Sequence, residues 1–121
     1  MQCTGIDIIE IARIRRVIDR WGERFLHRVY TEAEIRLCRN RSGPLATRFA
    51  AKEAVMKALG TGVRGVGWRE IEILSEPNGK PIVRLYGNAQ NKADRLGLDE
   101  LAVSLSDSRE NAIAVVVGET R

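Results

Sequence analysis

Two side chains that could do chemistry together, Glu53 and Lys57, lie one helical turn apart in the segment 46–61, the longest helical run of the sequence. On a helical wheel Glu53 falls at the centre of an apolar face that includes Phe49 and Met56. A carboxylate buried without a partner is costly, so Glu53 needs an ion pair, a raised pKa or a bound cation. Two interpretations stay open: a structural ion pair with Lys57, or a metal ligand beside a lysine that contacts phosphate.

A second carboxylate, Asp7, interrupts the β-branched segment 1–9, which predicts a short strand. Side chains alternate along a strand, so Asp7 points away from Ile6 and Ile8. Taken alone, this position favours a solvent-facing residue or an N-terminal neighbour of the next helix.

Helical periodicity predicts a helix from Glu10 to about Trp21. Its core face is expected to hold Ile11, Ile14, Val17, Ile18 and Trp21. The opposite side is basic and carries Arg13, Arg16, Arg20 and Arg24, which we call the basic stripe. Only Asp19 and Glu23 are acidic between positions 11 and 30, so we favour a docking surface for an acidic partner over an ordinary solvated face.

The remaining elements follow from local signals. Thr31 and Glu34 form a capping-box pattern that starts a short helix ending near Asn40. Gly60 is placed to end the Glu53 helix. The other predicted elements are a hairpin of strands 68–74 and 81–85 around Asn78-Gly79, a helix over 86–96, and strands over 100–107 and 112–117. Helices and strands are segregated, which indicates an α+β fold in a single domain over 1–121.

Composition limits the classes of function. The chain has 121 residues, 44% hydrophobic and 30% charged, which suits one globular domain. Aromatic residues make up only 5%, which disfavours a nucleic-acid binder that stacks bases. No membrane span or signal peptide is predicted, so we expect a cytoplasmic protein. Cys3 and Cys38 lack metal-ligand spacing and are expected to be free thiols.

Four segments together resemble the holo-[acyl-carrier-protein] synthases, the small 4′-phosphopantetheinyl transferases. They are GIDIIEIARI at 5–14, ATRFAAKEAVMKALGTG at 46–62, GKP at 79–81 and SLSD at 104–107. The resemblance implies the α+β 4′-phosphopantetheinyl transferase fold, with an antiparallel sheet packed against a long central helix. It also implies transfer of the phosphopantetheine arm of coenzyme A to a serine of apo-acyl carrier protein, releasing adenosine 3′,5′-bisphosphate. The alternative is a weakened homologue that only binds carrier protein or coenzyme A.

The resemblance also implies roles for individual residues. Asp7 and Glu53 match the aspartate and glutamate that hold Mg²⁺, and Lys57 matches the lysine that contacts the diphosphate. Further coenzyme-binding residues are expected at Arg48, Gly60, Ser106 and Ser108. Among the catalytic positions, Asp107 departs from the family's usual histidine. Two interpretations stay open: an Asx-type residue that opens the turn at 108–111, or a residue in the histidine's place beside the diphosphate. We expect Asp107 to lie near the site without being the essential base.

Two expectations concern partners. Acyl carrier proteins are acidic, so the basic stripe is expected to bind them. Family members are typically homotrimers with active sites between subunits. The strand end at 106–108 is therefore expected to meet Asp7 and Glu53 of a neighbouring subunit.

Overall fold

The computed structural model describes residues 1–120, and the predicted α+β class is confirmed. The elements in chain order are β1 (Gln2–Glu10), α1 (Ile11–Trp21), α2 (Glu23–Val29), α3 (Glu32–Cys38), α4 (Ser42–Leu59), a 3₁₀ turn (Trp68–Glu70), β2 (Ile71–Ser75), β3 (Pro81–Leu85), α5 (Gly87–Arg95), β4 (Leu98–Asp107) and β5 (Asn111–Thr120). The predicted domain over 1–121 includes Arg121, which lies outside the described residues. Within 1–120 no helix is long and apolar enough to span a membrane.

The strands form two antiparallel sheets. One has the order β1-β5-β4, so the first strand pairs with the last, and the other is the β2-β3 hairpin. Helix α4 packs across the inner face of the three-stranded sheet, closest to β1. Gly5 permits this approach, because a Cβ at that position would overlap the backbone carbonyl of Ala54. Asp7 is thereby placed two residues along β1 from the tightest contact with the helix.

Helix α4 is the centre of the core and is buried on most sides. It begins at Ser42, four residues before the predicted start, since Pro44 falls in its first turn, where a missing N–H breaks no helical hydrogen bond. Gly60 follows its last residue in the left-handed conformation, with φ of 75°, as predicted. Its buried apolar residues are Leu45, Ala46, Ala50, Ala51, Ala54, Val55, Met56, Ala58 and Leu59.

The prediction for the end of α1 is wrong at Trp21. Ile11 and Ile14 are buried as expected, but the Trp21 residue is 48% exposed. The chain turns at Gly22, with φ of 54°, and α2 starts at once. The guanidinium groups of Arg20 and Arg24 then lie 5.1 and 5.9 Å from the centroid of the Trp21 ring.

The capping box is confirmed. The Thr31 hydroxyl accepts a hydrogen bond from the Glu34 amide at 3.2 Å, and the Thr31 amide donates to Glu34 Oε1 at 2.8 Å. The helix ends at Cys38, two residues before the predicted position. Cys38 is buried, and both it and Cys3 are free thiols as expected.

The hairpin around Asn78-Gly79 is confirmed, but its first strand is shorter than predicted. Residues 68–70 form the 3₁₀ turn, and β2 starts at Ile71. The Lys80 amide donates to Asn78 Oδ1 at 3.0 Å, and Gly79 has φ of 91°, which an L side chain rarely adopts. Strands β4 and β5 extend further than predicted because they pair along nearly their whole lengths.

Candidate active site

Asp7 lies on the inner face of β1, between the sheet and α4. Its side chain is only 13% exposed, whereas Ile6 and Ile8 are each 60% exposed on the outer face. The expectation of a solvent-facing aspartate is therefore wrong. The reason is that α4 covers the face that Asp7 shares with Gly5 and Ile9, so the alternation places the isoleucines outside.

Lys57 is the direct partner of Asp7. Its ammonium group donates to Asp7 Oδ1 at 3.1 Å and to the backbone carbonyl of Ile6 at 2.9 Å. The alternative interpretation, a structural ion pair of Lys57 with Glu53, is therefore wrong, because Lys57 pairs with Asp7. Since the Lys57 side chain is 55% exposed, its charge remains accessible to a ligand in solvent.

Glu53 is half-buried beside this pair. Burial raises the pKa of its carboxyl group, and the negative charge of Asp7 raises it further, while Lys57 and Arg13 act in the opposite direction. Within residues 1–120, the Glu53 side chain makes neither a hydrogen bond nor an ion pair. We call Asp7, Glu53 and Lys57 the carboxylate cluster.

The donor set of the carboxylate cluster fits a hard divalent cation that is shared with a ligand. Two carboxylates repel each other there, and one of them lacks a protein partner. Within 1–120 no group of three or more His, Cys, Asp or Glu side chains could hold a metal ion by itself. Mg²⁺ is commonly bound by one or two carboxylates, with phosphate oxygens and water as the other ligands. The arrangement therefore suits a Mg²⁺ ion that is bound together with a phosphate group.

Arg48 lies in a separate pocket at the other end of α4. One of its terminal nitrogens donates to Thr47 Oγ1 at 3.2 Å, and the other to Ser75 Oγ at 2.9 Å. Its Nε is buried without a hydrogen-bond partner. The pocket, which we call the arginine pocket, has a volume of about 420 Å³ and is lined by Arg41, Pro44, Thr47, Arg48, Ser75, Gly79, Pro81, Leu105 and Asp107. The wall of this pocket therefore includes two positively charged residues, Arg41 and Arg48, and one negatively charged residue, Asp107.

Asp107 is the last residue of β4, and its carboxylate lies close to Gly43 in the first turn of α4. Asp107 shares the inner sheet face with Asp7, but β5 lies between their two strands. Asp107 is also two residues further along β4 than the position level with Asp7, so the two backbones are about 12 Å apart. The turn after Asp107 is held by Ser108 instead, whose hydroxyl accepts from the Asn111 amide at 3.2 Å. Asp107 is therefore not the residue that caps this turn, and it is not part of the carboxylate cluster of its own chain.

The remaining predicted site residues lie apart from both groups. Ser106 lies on the outer sheet face, opposite Ile113. Gly60 is exposed at the end of α4. All four arginines of the basic stripe are exposed, and Arg13 is close enough to Glu53 to influence its pKa. The stripe thus begins beside the carboxylate cluster and runs to Trp21.

Sequence reasoning missed one functional candidate, the buried pair of Glu34 and Lys52. The sequence pattern indicates only a capping role for Glu34, and it does not single out Lys52. The available signal was that Lys52 shares a wheel face with Val55 and Leu59, both of which are buried.

Comparisons with known proteins identify the family of this chain. A family model described as the 4′-phosphopantetheinyl transferase superfamily matches residues 3–116. A holo-[acyl-carrier-protein] synthase of Herpetosiphon aurantiacus is 51% identical over 98% of each chain. One from Dehalococcoides mccartyi strain CBDB1 is 52% identical over 98% of this chain and 99% of that protein.

Solved structures with the same fold include enzymes with bound ligand. The Helicobacter pylori holo-[acyl-carrier-protein] synthase in complex with coenzyme A has a TM-score of 0.88 and 37% identity, covering 96% of this chain and 99% of that chain. The Bacillus anthracis enzyme, in complex with coenzyme A (3′,5′-ADP), has a TM-score of 0.80 and 34% identity, covering 98% and 96%.

Proposed function

Because this chain belongs to the 4′-phosphopantetheinyl transferase superfamily, we propose that its carboxylate cluster is where the phosphopantetheine arm of coenzyme A is transferred to a serine of apo-acyl carrier protein. The second product is adenosine 3′,5′-bisphosphate. The observation that supports this assignment is the approach of Lys57 to Asp7 at 3.1 Å, beside a half-buried Glu53 that lacks a protein partner.

Asp7 and Glu53 would hold Mg²⁺. When bound, the ion would offset the negative charge of the coenzyme diphosphate during transfer. The contribution of the protein is to keep both carboxylates on facing elements, β1 and α4, at fixed positions. Their mutual repulsion in the absence of a cation supports this assignment, because a cation relieves it.

Lys57 is positioned to stabilise the leaving phosphate. As the serine oxygen bonds to phosphorus, negative charge grows on the departing 5′-phosphate of the nucleotide. A positioned ammonium group lowers the energy of that charge in the transition state. The contacts of Lys57 with Asp7 and the Ile6 carbonyl hold the ammonium group at the edge of the carboxylate cluster.

The arginine pocket is proposed to take a phosphate of the nucleotide. Arg48 has an unsatisfied buried Nε, and Arg41 lines the same pocket. Asp107 lies at the wall of this pocket, so its negative charge opposes phosphate binding there. This placement supports a role for Asp107 in coenzyme affinity, separate from proton transfer.

The active unit is proposed to be a homotrimer with sites between subunits. The outer face of the three-stranded sheet is apolar and open, with exposed residues Ile6, Ile8, Ile113, Val115 and Val117. Such a patch is typical of a surface covered by another protein chain. Ser106 lies on that face, and Asp107 is remote from Asp7 within one chain. Association would bring the strand end at 106–108 to a neighbour's cluster.

The basic stripe is proposed to bind the acidic carrier protein. It starts beside Glu53 and is exposed along its length, so a bound carrier could present its serine to the carboxylate cluster. Free thiols at Cys3 and Cys38 are compatible with a reducing compartment, and we place the reaction in the cytoplasm.

The decisive experiment is mass spectrometry of apo-acyl carrier protein after incubation with coenzyme A, Mg²⁺ and this protein. We expect the carrier to gain one phosphopantetheine arm. Binding of the carrier without any mass gain would instead favour the weakened homologue.

A double-mutant cycle tests the site. Asp7→Ala and Glu53→Ala should each abolish nearly all turnover, and the double variant should be hardly worse than either, since the two residues act as a unit. Independent, additive losses would contradict a shared metal site.

A further inference from the structure

The most deeply buried charges among residues 1–120, those of Glu34 and Lys52, lie outside the carboxylate cluster. We propose that they are positioning residues, which fix the rotation of α4 about its axis so that Glu53 faces Asp7. This inference rests on the proposed function, because it assigns the pair a role in preparing the same site.

The Lys52 ammonium group is fully enclosed and fully bonded. Both side chains of the pair are 0% exposed, and Nζ lies 2.7 Å from Glu34 Oε1. The same Nζ donates to the backbone carbonyl of Trp68 at 3.0 Å and to that of Ile71. An ammonium group has three donors, and all three are used.

Glu34 is tied in turn to two further elements. Its Oε1 accepts from the Thr31 amide at the start of α3, and its Oε2 accepts from the Ile73 amide of β2 at 2.8 Å. Lys52 therefore links α4 to α3, the 3₁₀ turn and β2 at a single point. Each link is a directional hydrogen bond, so together they determine which way this side of α4 points.

Apolar packing acts beside these hydrogen bonds. The buried apolar residues of α4 are five alanines, at 46, 50, 51, 54 and 58, and the larger Leu45, Val55, Met56 and Leu59. The alanines are small and alike, so the hydrogen bonds of Lys52 add a directional constraint that these positions do not supply. Successive residues of a helix are about 100° apart, so with Lys52 held against β2, Glu53 is directed toward β1. Lys52 and Glu53 are adjacent in sequence, which leaves no intervening turn to absorb a rotation.

The attraction between the two charges is by itself weak evidence for a role in stability. Replacing a buried ion pair with apolar side chains of similar volume is often neutral or stabilising, because desolvation opposes the attraction. The pair can matter more for the position of active-site residues, since a misplacement of about 1 Å in an active site can reduce the rate roughly 100-fold.

The test compares Glu34→Gln with a matched control, Glu72→Gln. Glu72 is also a buried carboxylate, and it accepts from the Thr31 hydroxyl at 2.6 Å and the Tyr86 hydroxyl at 3.0 Å without a hydrogen bond to Lys52. We expect Glu34→Gln to lower kcat at least about 10-fold with little change in KM for coenzyme A. We also expect about 10-fold weaker Mn²⁺ binding, measured by electron paramagnetic resonance on the folded protein. Glu72→Gln should leave both values near wild type.

A second variant separates position from stability. Glu34→Leu combined with Lys52→Met removes both charges together, so no unpaired charge is left buried. It also removes the partners of the backbone groups of Thr31, Ile73, Trp68 and Ile71, so the variant is measured below its own Tm, where circular dichroism shows it folded. We expect Mn²⁺ affinity and kcat to stay reduced. A folded double variant with wild-type Mn²⁺ affinity and kcat would overturn the inference. If wild-type protein does not modify carrier protein at all, the proposed function fails instead, so the two failures are distinguishable.

Discussion

The backbone of Gly5 lies directly against the carbonyl oxygen of Ala54, in a space that excludes any Cβ. We expect Gly5→Ala to destabilise the protein by about 1–3 kcal/mol, because the added methyl must force β1 away from α4. Urea denaturation measures the change. Gly67→Ala is a suitable control, since its Cβ would make only ordinary contacts with Glu70 at 3.5 Å. Equal stability of Gly5→Ala and wild type would contradict the close approach.

Glu53 is expected to destabilise the metal-free fold at neutral pH. Its pKa is raised by burial and by Asp7, so its favourable contribution is complete below the unfolded-state pKa of about 4.3 and is lost as the pH rises through the folded-state pKa. Glu53→Gln should therefore raise the Tm of metal-free protein at pH 7, with a difference that shrinks as the pH approaches 4. Thermal unfolding in a chelator measures this. Glu76→Gln, at an exposed turn position, is the control, and a lower Tm for Glu53→Gln at pH 7 would mean that the Glu53 charge is paired.

The basic stripe is best tested at Arg16 and Arg20, because Arg13 also interacts with Glu53. Reversal to Glu at either position should raise KM for carrier protein roughly 10-fold at low salt and less at high salt, while KM for coenzyme A stays constant. Steady-state kinetics at two salt concentrations provides the measurement. Arg95→Glu on α5 matches the charge change away from the stripe and should have no effect. An equal rise in KM for coenzyme A would show that the stripe belongs to the coenzyme site.

Asp107 is expected to affect coenzyme affinity more than chemistry. Asp107→Asn should lower KM for coenzyme A and keep turnover within about 10-fold, since the substitution removes a negative charge from the arginine pocket. Asp94→Asn on α5 serves as the control. A turnover loss of roughly 100-fold or more with the fold intact would identify Asp107 as the base and contradict this assignment.

Association is expected to depend on the outer face of the three-stranded sheet. Ile8→Asp should convert a trimer into monomers in sedimentation and reduce turnover in parallel, because a charge on this face opposes its burial. Leu96→Asp, at a 39% exposed apolar residue at the end of α5, should leave the trimer intact. A fully active Ile8→Asp monomer would rule out sites shared between subunits.

Local sequence signals predicted the parts of the fold that depend on neighbouring residues. The capping box at Thr31 and Glu34, the left-handed Gly60 and the turn at Asn78-Gly79 are each determined within a few positions, and all are confirmed. Residue types and their order also supported the family, which the comparisons confirm.

Contacts between distant residues could not be predicted in the same way. Trp21 has the correct period for the core face of α1, but the turn at Gly22 determines its exposure. The direction of Asp7 depends on which sheet face α4 covers. Lys52 meets Glu34 only because β2 and α3 converge on one side of α4. Each of these outcomes is set by tertiary packing, which overrides local pattern.

The pairing of β1 with β5 has a consequence for how the chain is made. Residues 2–10 find their sheet partners at 111–120, so a nascent chain emerging from the ribosome holds β1 without a neighbour until β5 has followed it out. Contacts so far apart in sequence form slowly, and exposed apolar strands invite aggregation in the interval. The apolar residues Ile6, Ile8 and Ile9 lie in β1, which is unpaired during this interval. The order of synthesis therefore exposes the segment that carries Asp7 until β5 is available, and the pairing with β5 also completes the support of the site.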